Sequence, residues 1–406
     1  MNRSAKATKV AEGVYWVGAI DWAIRDFHGY QTSRGSTYNA YLVLADKITL
    51  IDTVKAPFKD DMLSRVASVV DPGDISYIVS NHSEMDHSGC LPEVIEAVRP
   101  EKVFASQMGV KTLAAHFHGG HEIAAVKDGE TLSLGNRSLT FLESRMLHWP
   151  DSMVTYMPDA GVLFSQDAFG MHLASGERFA DEIDDAILEW ESTRYFANIL
   201  LPFSPLITKF LQKVAELGIT IDVAATDHGP IWRGDDVAKI VGWYSQWAAQ
   251  KPTNKAVVVY DTMWGSTASM ASAIAEGLMA GGGCVEVMQL GACHRSDVAA
   301  ELLDAGALLV GSPTLNSNMF PTVADVLTYL KGLKPQNLIG AAFGSYGWGS
   351  KVAEELTEVL DAMKVELVGE PIKVRYVPDE EALAECHALG ARVAERLKAL
   401  SRGATR

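Results

Sequence analysis

Cysteine is scarce in this chain: Cys90, Cys284, Cys293 and Cys386 are the four in 406 residues, and no two stand in a CxxC pair. A disulfide framework and a thiolate metal knuckle are therefore excluded. Long apolar runs are also missing. No stretch of about 18 apolar residues occurs, and the N-terminal MNRSAKATKVAEGVYWVG reaches no signal-type apolar core before charged residues return, so a soluble, cytoplasmic protein without membrane partners is expected. Basic charge is in short supply too: 35 Lys+Arg against 51 Asp+Glu give a formal charge of -16 and a pI near 5.1. Such a chain lacks the footprint that attracts phosphate backbones, and nucleic acid is not an expected partner.

What remains is ordinary globular composition, 48% hydrophobic and 21% charged, long enough for two or three domains. The organisation changes near residue 250, where an amphipathic stretch ending SQWAAQ meets the polar segment KPTNK and then the apolar run AVVVY. Pro252 disfavours helix before it, and the boundary is placed at 250/251, giving domains 1–250 and 251–406. The second part carries 14 Lys+Arg and 18 Asp+Glu, so most of the acidity lies in the first.

In residues 251–406 short apolar runs alternate with helical periods: KAVVVYD then ASMASAIAEGLM, CVEVMQL then DVAAELLDA, GALLVGSPT then VADVLTYLKGL, NLIGAAFGSYGW then KVAEELTEVLDAM. That alternation means βαβ crossovers and a doubly wound parallel α/β sheet of about five strands. In residues 1–250 strands come in pairs, with Ala-Asp-Lys and Pro-Asp-Ala-Gly as turns, and helical segments are expected at 57–70, 88–98 and 187–217. The first domain is therefore of the α+β class.

The densest chemical signal is NHSEMDHSG, which brings His82, Glu84, Asp86 and His87 together between the apolar strand SYIVS and the helix GCLPEVIEAV. Carboxylates and imidazoles crowded onto one loop call for a cation to neutralise the former and satisfy the latter. Alternation along an extended segment points His82, Glu84 and Asp86 to one side, with His87 placed to reach a second ion. Downstream, His148, Asp167 and His228 each leave the end of an apolar strand, where a sheet scaffold presents functional groups; taken singly, each reads more simply as a loop or capping residue. His116, His118 and His121 straddle a Gly-Gly turn and are read as a helix end and solvent-exposed loop, and Cys90 as a small buried residue.

The second domain's first strand ends in TMWGSTASM, where Thr262, Ser266, Thr267 and Ser269 bracket Gly265 beside Met263 and Trp264. A hydroxyl-rich turn opening a helix suits a phosphate. It holds no Lys, which excludes a GxxxxGK[ST] loop, and no GxGxxG, which argues against a dinucleotide site. A mononucleotide monophosphate remains. Two later strand-end loops, SPTLNSNMF and GSYGWGS, converge with it at the switch point of a sheet of order 2-1-3-4-5, where Asn316 could reach the polar edge of a flat ring and Tyr346 or Trp348 its face.

The order HxExDH, His, Asp, then His before Gly-Pro resembles the metallo-β-lactamase superfamily, with Glu84 where a second His is usual. A carboxylate in place of an imidazole makes a harder, more anionic site, favouring iron over zinc. With a flavodoxin-like domain behind it, the whole chain resembles the flavodiiron proteins, or A-type flavoproteins. The resemblance implies an αββα metallo-β-lactamase-like domain followed by a flavodoxin-like one. It implies that His82, Glu84 and His148 bind one iron and Asp86, His87 and His228 another, with Asp167 bridging them. His28 and Tyr195 match hydrogen-bonding positions near the metals, and Asp52 a structural or supporting acidic position. It implies FMN, with its phosphate on 262–267 and its ring against Pro313, Thr314, Leu315, Asn316 and Ser317 and against Ser345, Tyr346, Gly347, Trp348, Gly349 and Ser350. The implied activity is reduction of O2 or NO, with electrons from a separate rubredoxin-like donor, in a head-to-tail homodimer or dimer of dimers. The rival reading is a zinc hydrolase fused to an electron-carrier domain, and Glu84 is the residue that separates the two.

Overall fold

Two adjacent β-sheets with helices outside them make up most of the first 245 residues. The computed structural model describes residues 5–118, 120–349 and 351–403 and divides the chain into two compact units: residues 1–195 with 205–245, and residues 196–204 with 246–406.

In the first unit one sheet runs in the order Thr8–Ala11, Val14–Trp16, Tyr41–Val43, Thr49–Ile51, Tyr77–Ser80, Lys102–Ser106 and Ile123–Val126. It is antiparallel as far as Thr49–Ile51 and parallel beyond. The other runs Thr131–Ser133, Ser138–Glu143, Met153–Met157, Val162–Gln166, Val223–Thr226 and Trp232–Arg233, with a single parallel pair at Val162–Gln166 and Val223–Thr226. Strands such as Met153–Met157 and Val162–Gln166 are buried throughout, because both faces are covered. One core, including Tyr41, Val79, Phe141, Met153 and Phe164, joins the two sheets; a second, including Leu50, Ile78, Leu63, Val94 and Leu113, joins the first sheet to the helices Lys59–Val66, Leu91–Val98 and Gln107–Phe117.

The expected helix over 187–217 is interrupted. An α-helix at Asp185–Tyr195 passes into a π-turn at Phe196–Leu200 and a 3-10 turn at Leu201–Phe203 before Ser204–Glu216 resumes. Pro202 and Pro205 cannot supply the backbone N–H that a continuous helix needs there.

The second unit has the doubly wound topology expected. Its strands lie in the order Cys284–Gln289, Lys255–Tyr260, Ala307–Leu315, Ile339–Tyr346, and then Glu366–Leu367 with Ile372–Arg375, all parallel. The helices Ser266–Ala280 and Glu380–Gly403 cover one face through Met270, Ile274, Leu278, Leu389, Val393 and Leu397. They approach closely because Gly277 and Gly390 lie at the crossing: a Cβ on Gly277 would stand 1.9 Å from the His387 carbonyl, and one on Gly390 2.1 Å from that of Ile274.

Candidate functional site

The residues of NHSEMDHSG begin where the strand Tyr77–Ser80 ends. Extended backbone reaches only to Glu84 (φ -60, ψ 147), and a helical turn starts at Met85. That changes the expected alternation: Asp86 does not share a side with His82 and Glu84 but turns with His87 toward a second position. Two clusters result. His82, Glu84, His148 and Asp167 form one, and Asp86, His87 and His228 the other, all buried except the half-buried His148. His148 comes from the loop after Ser138–Glu143, Asp167 from the end of Val162–Gln166 and His228 from the end of Val223–Thr226. The parallel pairing of the last two strands brings their C-terminal ends side by side.

Asp167 faces both clusters. Its Oδ2 lies 3.3 Å from His82 Nε2 and 3.2 Å from His148 Nε2, while its Oδ1 lies 3.3 Å from His87 Nε2 and 3.5 Å from His228 Nε2. Glu84 Oε2 is 3.1 Å from His148 Nε2 and Asp86 Oδ2 is 3.1 Å from His228 Nε2. His87 is turned inward, its Nε2 3.1 Å from that of His228.

All four imidazoles thus present Nε2 to the centre, and three of them direct Nδ1 at an acceptor. His82 Nδ1 faces Asp151 Oδ2 at 3.3 Å, His228 Nδ1 donates to the Thr37 carbonyl at 2.6 Å, and His87 Nδ1 faces Asp227 Oδ2 at 3.6 Å. A proton fixed on Nδ1 leaves the Nε2 lone pair for a metal. Asp151 also accepts from Ser83 N and Oγ, both at 2.7 Å. Asp52 accepts from Asn81 N at 2.6 Å and Nδ2 at 2.8 Å, and burial pushes its carboxyl up to about 6 against those bonds.

Charge and burial test whether cations fit. Both Asp86 oxygens and Asp167 Oδ1 are buried with no hydrogen-bond partner among the described residues, which is costly for carboxylates unless a cation compensates them. Burial opposes ionisation of Glu84, yet hydrogen bonds from His148 and His82 hold it down at about 2. Burial likewise opposes protonation of His148, yet Asp167 and Glu84 raise it to about 9. Protons and metal ions therefore compete for the same atoms. Three carboxylates and four neutral imidazoles nearly balance two divalent ions, and the donor set is harder than one built on thiolates or imidazoles alone. The residues fit a pair of iron ions.

His28 and Tyr195 flank this centre differently. The His28 ring, 77% exposed, brings Nε2 to 3.5 Å from Glu84 Oε1. Tyr195 is buried, its ring centroid 6.1 Å from that of His228. Sequence reasoning passed over a neighbour, His172, which is fully buried 4.7 Å from the His228 ring and 5.2 Å from Tyr195, with Nδ1 2.8 Å from Ser36 Oγ. Burial and the nearby His228 hold it neutral. It also passed over Asp151 and Asp227, although Asp227 directly precedes His228. His118 ends the helix Gln107–Phe117 in a left-handed turn, and Cys90 is buried.

In the second unit a cavity of about 540 Å³ opens at the strand ends. Thr262, Met263, Trp264 and Ser266 line it from the first loop, Pro313, Thr314, Asn316 and Ser317 from the second, and Ser345, Tyr346, Gly347, Trp348 and Gly349 from the third. Gly265 does not line it but caps the helix Ser266–Ala280 with φ 89, a left-handed conformation that suits glycine. Thr267 is fully buried and bonds Ser345 Oγ at 2.9 Å; Leu315 lies at the base of the hairpin that Asn316 and Ser317 turn with positive φ. Ser350 lies outside the described residues. Tyr376 and Val377, not anticipated from sequence, complete the rim.

No lining residue carries a formal charge, so a phosphate here would rest on hydroxyls and a helix N-terminus. Trp264 and Trp348, each 94% exposed at the mouth, offer indole faces that a flat ring would cover. The residues fit FMN.

Comparisons with known proteins point the same way. Residues 37–229 match the "ODP family beta lactamase" model and residues 258–390 the flavodoxin model. The chain is 47% identical to a rubredoxin-oxygen oxidoreductase of Megalodesulfovibrio gigas over 97% of this chain and 99% of the relative. It is 46% identical to a nitric oxide reductase of Moorella thermoacetica over 96% and 98%. Among solved structures it resembles the rubredoxin oxygen:oxidoreductase of Desulfovibrio gigas, with a TM-score of 0.96 and 46% identity over 97% of this chain and 99% of that one. It also resembles the flavodiiron protein of Giardia intestinalis, with a TM-score of 0.94 and 33% identity over 98% of both chains.

Proposed function

Because the chain belongs to the flavodiiron protein family, we propose that it is an oxidoreductase using FMN and two irons to reduce O2 to water, NO to N2O, or both. The observation that carries this reading is the pair of facing clusters with Glu84 in the first and Asp167 between them. An imidazole in place of Glu84 would leave two divalent ions with more uncompensated charge and favour zinc.

When bound, FMN supplies up to two electrons and two ferrous ions two more, the number that takes O2 to two waters. The protein's part is to hold, orient and protonate. His82, Glu84 and His148 are assigned to one ion, Asp86, His87 and His228 to the other, and Asp167 to both. Asp151 and the Thr37 carbonyl keep His82 and His228 protonated on Nδ1. His28, 3.5 Å from Glu84, and Tyr195 are read as hydrogen-bond donors to the bound gas. Tyr195 keeps its proton at any working pH, since burial raises its hydroxyl well above the ordinary range. In the second unit the Thr262–Thr267 turn is assigned the FMN phosphate, and the loops at 313–317 and 345–349 its ring.

The electron donor is proposed to be a separate small redox protein, a rubredoxin by analogy with the name of the Megalodesulfovibrio gigas relative. The working form is proposed to be a head-to-tail homodimer or a dimer of such dimers, which equilibrium sedimentation tests: a fully active monomer would contradict it. No described helix is long and apolar enough to cross a membrane.

Purified protein is expected to hold about two irons and one FMN per chain and, once reduced, to consume O2 or NO without releasing peroxide. Zinc with hydrolytic turnover would overturn the reading. Anaerobic single turnovers of the reduced protein with each gas rank the two substrates.

A further inference from the structure

The chain around His87 contains a buried carboxylate that none of the assigned ligand roles uses. Asp227 is 1% exposed, and neither of its oxygens has a hydrogen-bond partner among the described residues. His87 Nδ1 is likewise buried and unpartnered, and the two face each other at 3.6 Å. The Asp227 backbone is pinned on both sides, its N–H donating to the Gln166 carbonyl at 2.9 Å and its carbonyl accepting from Asn39 N–H at 2.7 Å, so the carboxylate is aimed by the sheet. Asp151, behind His82, differs: it has Ser83 N–H and Oγ–H as further donors. Among the described residues, His87 is the side chain able to form a cation that lies within ion-pair distance of Asp227.

From this geometry we infer that Asp227 is a positioning residue for the second ion: it accepts the Nδ1 proton of His87, holds the ring turned inward, and so fixes the tautomer whose Nε2 can bind metal. Metal on Nε2 obliges the proton to sit on Nδ1, and a buried N–H needs an acceptor. The two unpartnered groups stand 3.6 Å apart, about half an ångström beyond a hydrogen bond, and the loaded site requires that gap to close.

The inference rests on the two-ion reading above, and the test separates the two. Full-length wild type, Asp227→Asn and Asp227→Leu are stripped of metal and titrated anaerobically with Fe(II), with bound iron counted and the metal-free forms melted. A wild type that binds fewer than two ions overturns the two-ion reading itself. Given two ions in the wild type, Asp227→Leu is expected to keep one at unchanged affinity and bind the other about 10–100-fold more weakly. Asp227→Asn, whose carboxamide oxygen still accepts, should fall between, and the metal-free Leu variant should still melt cooperatively, which shows that it folds. His87→Ala should lose the same ion, and the double variant should lose no more than His87→Ala alone. Two equally tight ions in Asp227→Leu, additive losses in the double variant, or a metal-free form that melts lower and loses both ions would each overturn the inference.

Discussion

Glu84 is the residue on which the chemistry turns. It caps the helical turn that starts at Met85, and its carboxylate reaches His82, His148 and His28 within 3.5 Å. Glu84→His is expected to shift bound metal from iron toward zinc and to lower O2 consumption at least about 100-fold. Metal content per chain and an oxygen electrode check this; two bound irons and unchanged consumption would remove the role assigned to the carboxylate. The crowding of four donors into six residues made this part of the site legible in the sequence. His148, Asp167 and His228 were legible only as polar residues leaving buried strands, and became a set through the order in which they follow HxExDH. Asp151, His172 and Asp227 gave no such signal, because what matters about them is which atom faces which ring across 69, 136 or 140 residues of chain.

At the scale of elements, periodicity carried most of the fold. Apolar runs buried on both faces gave the parallel sheet of the second unit and its strand order, and paired strands with turn residues gave the hairpins of the first. The extended reading failed where backbone switched to helix at Met85, and the long helix over 187–217 failed at Phe196–Leu200. There Pro202 and Pro205 were the available warning, and the segment 196–204 groups with the later part of the chain through bonds such as Asn198 Nδ2 to the Ser296 carbonyl at 3.0 Å. Close packing between helices was not legible at all, since glycine in an Ala-rich helix reads as weakness. Yet Gly277 and Gly390 are what allow Ser266–Ala280 and Glu380–Gly403 to meet. Gly277→Ala is expected to destabilise the second unit by about 3 kcal/mol, because the new methyl meets a backbone carbonyl that cannot move aside. Denaturant unfolding followed through FMN release measures it; an unchanged midpoint would show that the crossing is looser than its geometry.

For the whole molecule, composition set limits without naming an activity. Few cysteines meant that electron transfer, if any, would fall to a cofactor or to metal held by imidazole and carboxylate. The formal charge of -16 is only partly accounted for by Glu84, Asp86 and Asp167. The seven proposed ligands are drawn from four separate strand-end loops between residues 82 and 228, and six of them are buried. A chelator is not expected to reach ions held this way from outside. Iron loss must wait for the loops to part, so its rate should level off as chelator concentration rises, at a plateau equal to the local opening rate and matching slow amide exchange in the same loops. A rate that keeps climbing with chelator would mean the ions are reached directly. Iron retention would then be a clock for the breathing of the two-sheet scaffold, readable by eye from the colour of the chelate.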